Sequence, residues 1–266
     1  MYEDITLIKA EKCIQNLLFD HNRQSNLIID DNNEIDNERL MKSPQLFIQP
    51  HHLSSPEKKK FLHKKNAEVL TPSWLCNIQN NLIDNCWFGR TNIFNKESEK
   101  TWITLTEKIA FPENKTWKDY ISLNRLEICC GEAPYLVSRY DSVTGKPIAI
   151  PDRIGLLDRK LRIINENVSS KAEWEKYSTK AFKSTYGYEK KGTNLLLARL
   201  NLFFTYIDYY MDRFSKMPRD SLLCEISNVI SWNLWQMDGL DPDAVNASKL
   251  MDWNQNKPIP FGSFLL

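Results

Sequence analysis

Glycine is scarce in this sequence, with eight in 266 residues. Tight loops are therefore rare, and a glycine beside a predicted strand carries weight. No apolar run approaches the ~18 residues of a membrane span. The first residues, MYEDITLIKAEKC, are acidic and amphipathic rather than basic and then apolar, so they do not read as a secretion signal. The expectation is a cytoplasmic protein with no membrane partner. The six cysteines (Cys13, Cys76, Cys86, Cys129, Cys130 and Cys224) form no C-x-x-C pair and have no His ligands nearby, which argues against a zinc site. Free thiols fit a reducing compartment, and the sequons at Asn114, Asn167 and Asn246 then read as chance matches. The phosphate-loop pattern G-x-x-x-x-G-K-[ST] is missing, and so is any internal repeat. A net charge of +1 argues neither for nor against nucleic acid, and the basic run PEKKKFLHKKN (Pro56 to Asn66) reads first as a solvated linker and second as a phosphate-contacting segment.

What is present is an ordinary globular composition, 42% hydrophobic and 26% charged. It suffices for one α/β core with an appendage or for two small domains. Residues 1–19 read as a helix with Ile5, Ile8, Cys13, Leu17 and Leu18 near one face. From Asp20 to about Pro56 the chain is polar and rich in Asn and Asp, and reads as a loop or loosely held linker. TPSWLCNIQNNLID (Thr71 to Asp84) reads as a helix capped by Thr71, with Pro72 at its first position and a buried stripe of Leu75, Ile78, Leu82 and Ile83. Residues 86–118 suggest a short β-like excursion. NRLEICC reads as a strand and APYLVSRY as the helix after it. RIGLLDRKLRIINENV (Arg153 to Val168) and AEWEKYSTKAFKS read as helices, and TYGYE (Thr185 to Glu189) as a strand ending on an acid. TNLLLARLNLFFTYIDYYMDRF is a long buried helix, DSLLCEISNVIS another helix, and NLWQMD a third strand ending on an acid. The tail MDWNQNKPIPFGSFLL reads as an uncovered sheet edge, open to pairing with another chain.

LEICCGE, TYGYE and LWQMDGL share one grammar, a short apolar strand running into an acid or a turn. In a doubly wound sheet, ligands sit beyond the carboxyl ends of the strands. Such a site collects Glu127, the turn Cys130-Gly131-Glu132, Glu189 and Asp238. An acid ending the second strand can accept both hydroxyls of a ribose, and an acid near the third can accept an adenine amino group. An acidic site repels a polyphosphate but suits a ribose, an adenine and a cationic tail, the chemistry of S-adenosylmethionine.

The segments NAEVLTPSWLCNIQNNLI, RLEICCGEAPYLVSRYD, TYGYEKKGTNLLLARLNL and NLWQMDGL resemble the cofactor-binding elements of adenine-N6 DNA methyltransferases. They are most similar to short proteins of restriction–modification loci usually called restriction endonuclease subunit M, over residues 64 to about 256. The resemblance implies a Rossmann-like α/β methyltransferase fold with a partial sheet in residues 64–266, preceded by an N-terminal helix and polar linker in residues 1–63. It implies that Thr71 and Pro72 lie against the methionine end of S-adenosylmethionine, with Glu127, Cys130 and Gly131 beside that moiety. Glu189 then holds the ribose and Asp238 lies near the adenine amino group. Two departures stand out. Ala133 occupies the place of the family's second turn glycine. The Asn/Asp-Pro-Pro-Tyr/Phe tetrapeptide, which grips the flipped adenine in these enzymes, does not occur in the chain; the nearest string is NKPIPF (Asn256 to Phe261). The expectation is the cofactor-binding half of a split methyltransferase, acting on double-stranded DNA through a partner that carries Asn-Pro-Pro-Tyr and target recognition. Two other readings remain. PDRIGLLDRK offers Asp152, Asp158 and Lys160 as a Mg²⁺-dependent nuclease set, although Asp158-Arg159-Lys160 reads first as a charged helix face. The chain can also be a non-catalytic scaffold for DNA or a partner.

Overall fold

The computed structural model describes residues 11–30, 33–35, 37–42, 50–53 and 70–264. Ile5, Ile8, the basic run Pro56 to Asn66, Leu265, Leu266 and the division at residues 63/64 lie outside them. The chain is a mixed α/β protein of helices and small sheets, one of them three-stranded and parallel. In chain order, α1 (Glu11–Leu18) leads into the strands β1 (Phe19–Asp20), β2 (Ser25–Asn26), β3 (Ile28–Asp30) and β4 (Asn33–Glu34), then α2 (Asn37–Lys42). Next come α3 (Ser73–Phe88), the hairpin β5 (Asn95–Ser98) and β6 (Thr101–Thr104), α4 (Trp117–Ser122) and β7 (Arg125–Glu127). There follow α5 (Leu156–Asn167), α6 (Lys171–Lys183), β8 (Thr185–Glu189), α7 (Gly192–Phe214), α8 (Asp220–Asn233) and β9 (Leu234–Gln236). The chain closes with α9 (Pro242–Ala247), β10 (Lys249–Asp252), β11 (Lys257–Pro260) and α10 (Phe261–Phe264). Two compact units result: residues 1–48, 124–133 and 185–266 form one, and residues 49–123 and 134–184 the other.

The first unit holds the parallel sheet in the order β7-β8-β9, with Leu126 opposite Tyr186 and Tyr188 opposite Trp235. Parallel neighbours need long crossovers, and α7 and α8 supply the one between β8 and β9. Alternation along β8 sends Tyr186 and Tyr188 to one face, where they pack with Trp235, Met237, Leu250 and Phe261. The tail is therefore not an uncovered edge. The strands β10 and β11 pair antiparallel, and Ile259, Leu250 and Phe261 fold back onto the unit's own core, because Tyr188 and Trp235 present aromatic surface that needs cover.

Residues 20–30 are not a loose linker either. Arg199, fully buried on α7, donates to the carbonyls of Leu17 and Phe19 at 2.8 Å each and to those of Ser231 and Leu234. The side-chain amide of Gln236 pairs with the backbone of Ile28 in both directions, accepting at 2.8 Å and donating at 2.6 Å. Gly192 leaves room for this strand, since a Cβ there would lie 2.3 Å from the Ile28 carbonyl oxygen. The backbone of this segment is thereby paired with buried side chains of α7 and β9.

In the second unit, α3 is inside out relative to the apolar periodicity. Leu82 is 60% exposed and Ile83 is exposed too, while Asn77, Asn80, Asn81 and Asp84 are buried. The reason is Arg159 on α5, whose guanidinium donates to Asp84 Oδ2 at 2.6 Å, Asn81 Oδ1 at 2.7 Å and Asn77 Oδ1 at 2.9 Å. A buried guanidinium needs several fixed acceptors, and the polar face of α3 provides them. Asp158-Arg159-Lys160 is thus not a solvated face, since all three residues are buried. Residues 133–140, expected as a helix, instead run through turns to an isolated bridge between Tyr140 and Pro147. Their carbonyls are engaged by α5 and α3: the Tyr135 oxygen accepts from Leu156 N–H at 2.8 Å and from the Asn80 side chain at 3.0 Å.

Candidate functional site

The carboxyl ends of β7, β8 and β9 carry Glu127, Glu189 and, two residues beyond the strand, Asp238. The strand β8 runs on past the end of β7, so the turn after Glu127 lies beside Tyr188 and Glu189. Cys130 N–H donates to the Tyr188 carbonyl at 2.9 Å, and Gly131 N–H donates to Glu189 Oε2 at 3.0 Å. The other carboxylate oxygen of Glu189 accepts from Lys191 N–H at 3.0 Å. Two of about four acceptor positions on that carboxylate are thereby used.

The turn has an alternating backbone. Cys129, Gly131 and Ala133 have φ of +49°, +53° and +62°, the left-handed region that suits glycine. Ala133 thus holds, at a cost, the conformation a second glycine would take freely. A Cβ built on Gly131 meets nothing within 4 Å, so space is open beside the turn. Ile128, 65% exposed, and the exposed Cys129 flank it, while Cys130, Glu127 and Glu132 are buried. Asn201 on α7 fixes the far side of the turn by donating to the Glu132 carbonyl at 2.9 Å.

The electrostatics are acidic. Burial pushes the Cys129 thiol up, and the charges of Glu189 and Asp238 push it further. Cys130 rises well above its ordinary value, first through burial and then through Glu127 and Glu189. Asp238 is held below its ordinary value chiefly by its hydrogen bond with Lys190, whose Nζ lies 2.7 Å from Oδ2. Oδ1 accepts from Leu240 N–H at 3.0 Å. A side chain on Gly239 would have to displace the Tyr188 ring, since a Cβ would lie 2.7 Å from its ring edge and hydroxyl.

Six of the eight residues singled out from the sequence, Glu127, Cys130, Gly131, Glu132, Glu189 and Asp238, fall in the first unit. Thr71 and Pro72 belong to the second. Pro72 rather than Thr71 is the residue that precedes α3, and neither caps it by a side chain. The cap comes from Asp141, whose Oδ2 accepts from Ser73 N–H at 2.7 Å, while Ser142 Oγ donates to the Thr71 carbonyl at 2.7 Å. Burial pushes the Asp141 carboxyl up, but the Ser73 and Thr144 hydrogen bonds outweigh it and leave it below the ordinary value, as a carboxylate at a helix N-terminus should be. Sequence reading missed Asp141, Lys190 and Gly239. Lys190 and Gly239 directly follow the two strand-end acids, which is the signal that could have found them.

The residues proposed for a nuclease are not assembled as one. Asp158 Oδ2 accepts from Ser138 N–H at 2.8 Å, Ser138 Oγ at 3.0 Å and Gly155 N–H at 3.2 Å. Lys160 Nζ donates to the carbonyls of Leu123 and Ser184 and to Ser184 Oγ. Exposed Asp152 accepts from Thr104 Oγ1 at 2.6 Å. Among the described residues no group of three or more His, Cys, Asp or Glu side chains is placed to hold a metal ion, and no helix is long and apolar enough to cross a membrane. Compared with known proteins, the chain matches no family model, no curated protein and no solved structure.

Proposed function

We propose that this chain is the S-adenosylmethionine-binding subunit of an adenine-N6 DNA methyltransferase of a restriction–modification system, built on a Rossmann-like sheet. Another polypeptide supplies the Asn-Pro-Pro-Tyr element and target recognition, and double-stranded DNA is bound through the complex. The observation that carries this reading is the turn after β7 hydrogen-bonded to the acid that ends β8, with a third acid following β9. Residue chemistry fits the cofactor. Glu189 keeps acceptor capacity for ribose hydroxyls, the space beside Gly131 admits close approach, and the acidic field favours a cationic sulfonium and ammonium. The largely exposed Lys190 must swing off Asp238 for an adenine amino group to reach that carboxylate. The cofactor supplies an electrophilic methyl group; this chain's residues bind and orient it.

Calorimetric titration with S-adenosylmethionine tests the reading. Hydrogen bonds to a charged group are worth about 1.5–3 kcal/mol, so Glu189→Ala should weaken binding by about tenfold or more. An unchanged dissociation constant would move the ribose site elsewhere, and no heat from the unsubstituted chain would favour the non-catalytic scaffold. The isolated chain should transfer no labelled methyl to DNA.

A further inference from the structure

The helices α1 and α8 carry a pair of cysteines that the cofactor reading does not use. Cys13 Sγ and Cys224 Sγ lie 3.2 Å apart, both as free thiols. Cys13 is fully buried, while Cys224 is partly exposed on the wall of an open cleft of about 820 Å³ that Lys12, Asn16, His21 and Glu225 also line. The helices are held at this spacing independently of the sulfurs. Asn16 donates to the Cys224 carbonyl at 3.3 Å and to Ser227 Oγ at 3.0 Å, one turn along from the thiols on both helices. A disulfide has an S–S distance of about 2.05 Å, so the sulfurs need to close by only about 1 Å.

We propose that Cys13 and Cys224 are a modification site, closing to an intramolecular disulfide when a small hydroperoxide enters the cleft and reacts at Cys224. In the first step Cys224 Sγ attacks the peroxide, and the proton of its thiol passes through solvent to the departing oxygen. The O–O bond breaks, an S–O bond forms, and the peroxide leaves as an alcohol, or as water from hydrogen peroxide. In the second step Cys13 Sγ displaces the sulfenic oxygen of Cys224. The S–S bond forms, and the Cys13 proton leaves with that oxygen as water. Two thiols are oxidised and one hydroperoxide is reduced, and a thiol reductant reverses the change. The order follows from access, since only Cys224 faces the cleft. It also agrees with the state of Cys13, which burial pushes up to about 12 and keeps protonated. The bond ties α1, and with it the strand anchored on Gln236, to α8.

The test treats the full chain with hydrogen peroxide, blocks remaining thiols with N-ethylmaleimide in denaturant and digests without reduction for mass spectrometry. The expected result is a peptide pair bridged through Cys13 and Cys224 that dithiothreitol removes. In Cys13→Ser the second step is blocked, and a dimedone adduct should appear at Cys224 that the unsubstituted chain does not form. The exposed Cys86 and Cys129 are the natural competitors. If they oxidise while Cys13 and Cys224 are both recovered alkylated, the proposal is overturned. Recovery of Cys224 as a sulfinic acid beside an alkylated Cys13 overturns it as well. The unsubstituted chain alone decides the matter if Cys13→Ser does not fold.

Discussion

The two compact units both place acids beside apolar segments, and one pair from each is used in opposite ways. In the second unit Asp84 and Asp158 are interior: both oxygens of Asp84 accept, from Tyr120 and Arg159, and Oδ2 of Asp158 accepts from Ser138 and Gly155. In the first, Glu189 and Asp238 stand at strand ends and are partly exposed, and the salt-bridge partner of Asp238 is a largely exposed lysine. An acid at the end of an apolar run is therefore not by itself a site. What distinguishes the two cases is burial: Asp84 and Asp158 are held out of solvent among interior groups, whereas Glu189 and Asp238 are held by backbone N–H groups and a surface ammonium and stay partly exposed.

The sharpest way to break this comparison is Arg159→Leu. If the polar interior of the second unit is structural, removing the guanidinium leaves Asp84 charged and buried without its ion-pair partner, at a cost of about 3–5 kcal/mol. Urea unfolding should show that loss in the midpoint, with S-adenosylmethionine affinity preserved wherever the variant is folded.

A smaller effect separates the acids by pH. Burial pushes the Asp158 carboxyl above its ordinary 3.8, against the pull of Arg153 and the Ser138 hydrogen bonds. The folded chain thus holds this proton more tightly than the unfolded chain. The stability this group contributes is greatest below pH 3.8 and declines as pH rises through the folded-state pKa. Asp238 shifts down, so its contribution is present above pH 3.8 and is lost as pH falls through its lower folded-state pKa. Subtracting the stability of Asp158→Asn from that of the unsubstituted chain should give a difference that falls with rising pH. The same subtraction for Asp238→Asn should give a small difference that rises, of the size of a surface ion pair, about 0–1 kcal/mol. Slopes of the same sign would dissolve the contrast.

The smallest effect belongs to the outward face of α3. Leu82→Gln should change stability by no more than about 0.5 kcal/mol, despite removing a leucine from an apolar stripe at helical spacing. A loss near that of a buried leucine, about 2–5 kcal/mol, would mean that this face is covered in solution.

That stripe also marks where sequence reading stopped. The helices over residues 156–167, 193–214 and 220–231 and the short strand TYGYE were legible because hydrogen-bond partners and side-chain spacing there are local. The same rule, applied to Leu75, Ile78, Leu82 and Ile83, assumes that the apolar face turns inward. Arg159, remote in the chain, reverses it by demanding Asn77, Asn81 and Asp84. The helix expected from APYLVSRY failed for a related reason, since its backbone is drawn into bonds with α3 and α5 rather than with itself. Of the candidate site, the acids and the turn were legible as strand-end residues. The Asp141 cap on α3 was not, because no local pattern links residue 141 to residue 73.

By itself the sequence determined the order of strand and acid along the chain, the helices α5 to α8, the burial of α7 on nearly all faces and the lack of the Asn-Pro-Pro-Tyr element. Tertiary structure alone decided which acids are interior and which face solvent, that Gly131 binds Glu189, and that Cys13 meets Cys224. Periodicity and turn chemistry are set by residues within a few positions of one another. Desolvation, ion pairing and the approach of two thiols depend on groups brought together from segments 58 to 211 residues apart, and no local pattern encodes that meeting.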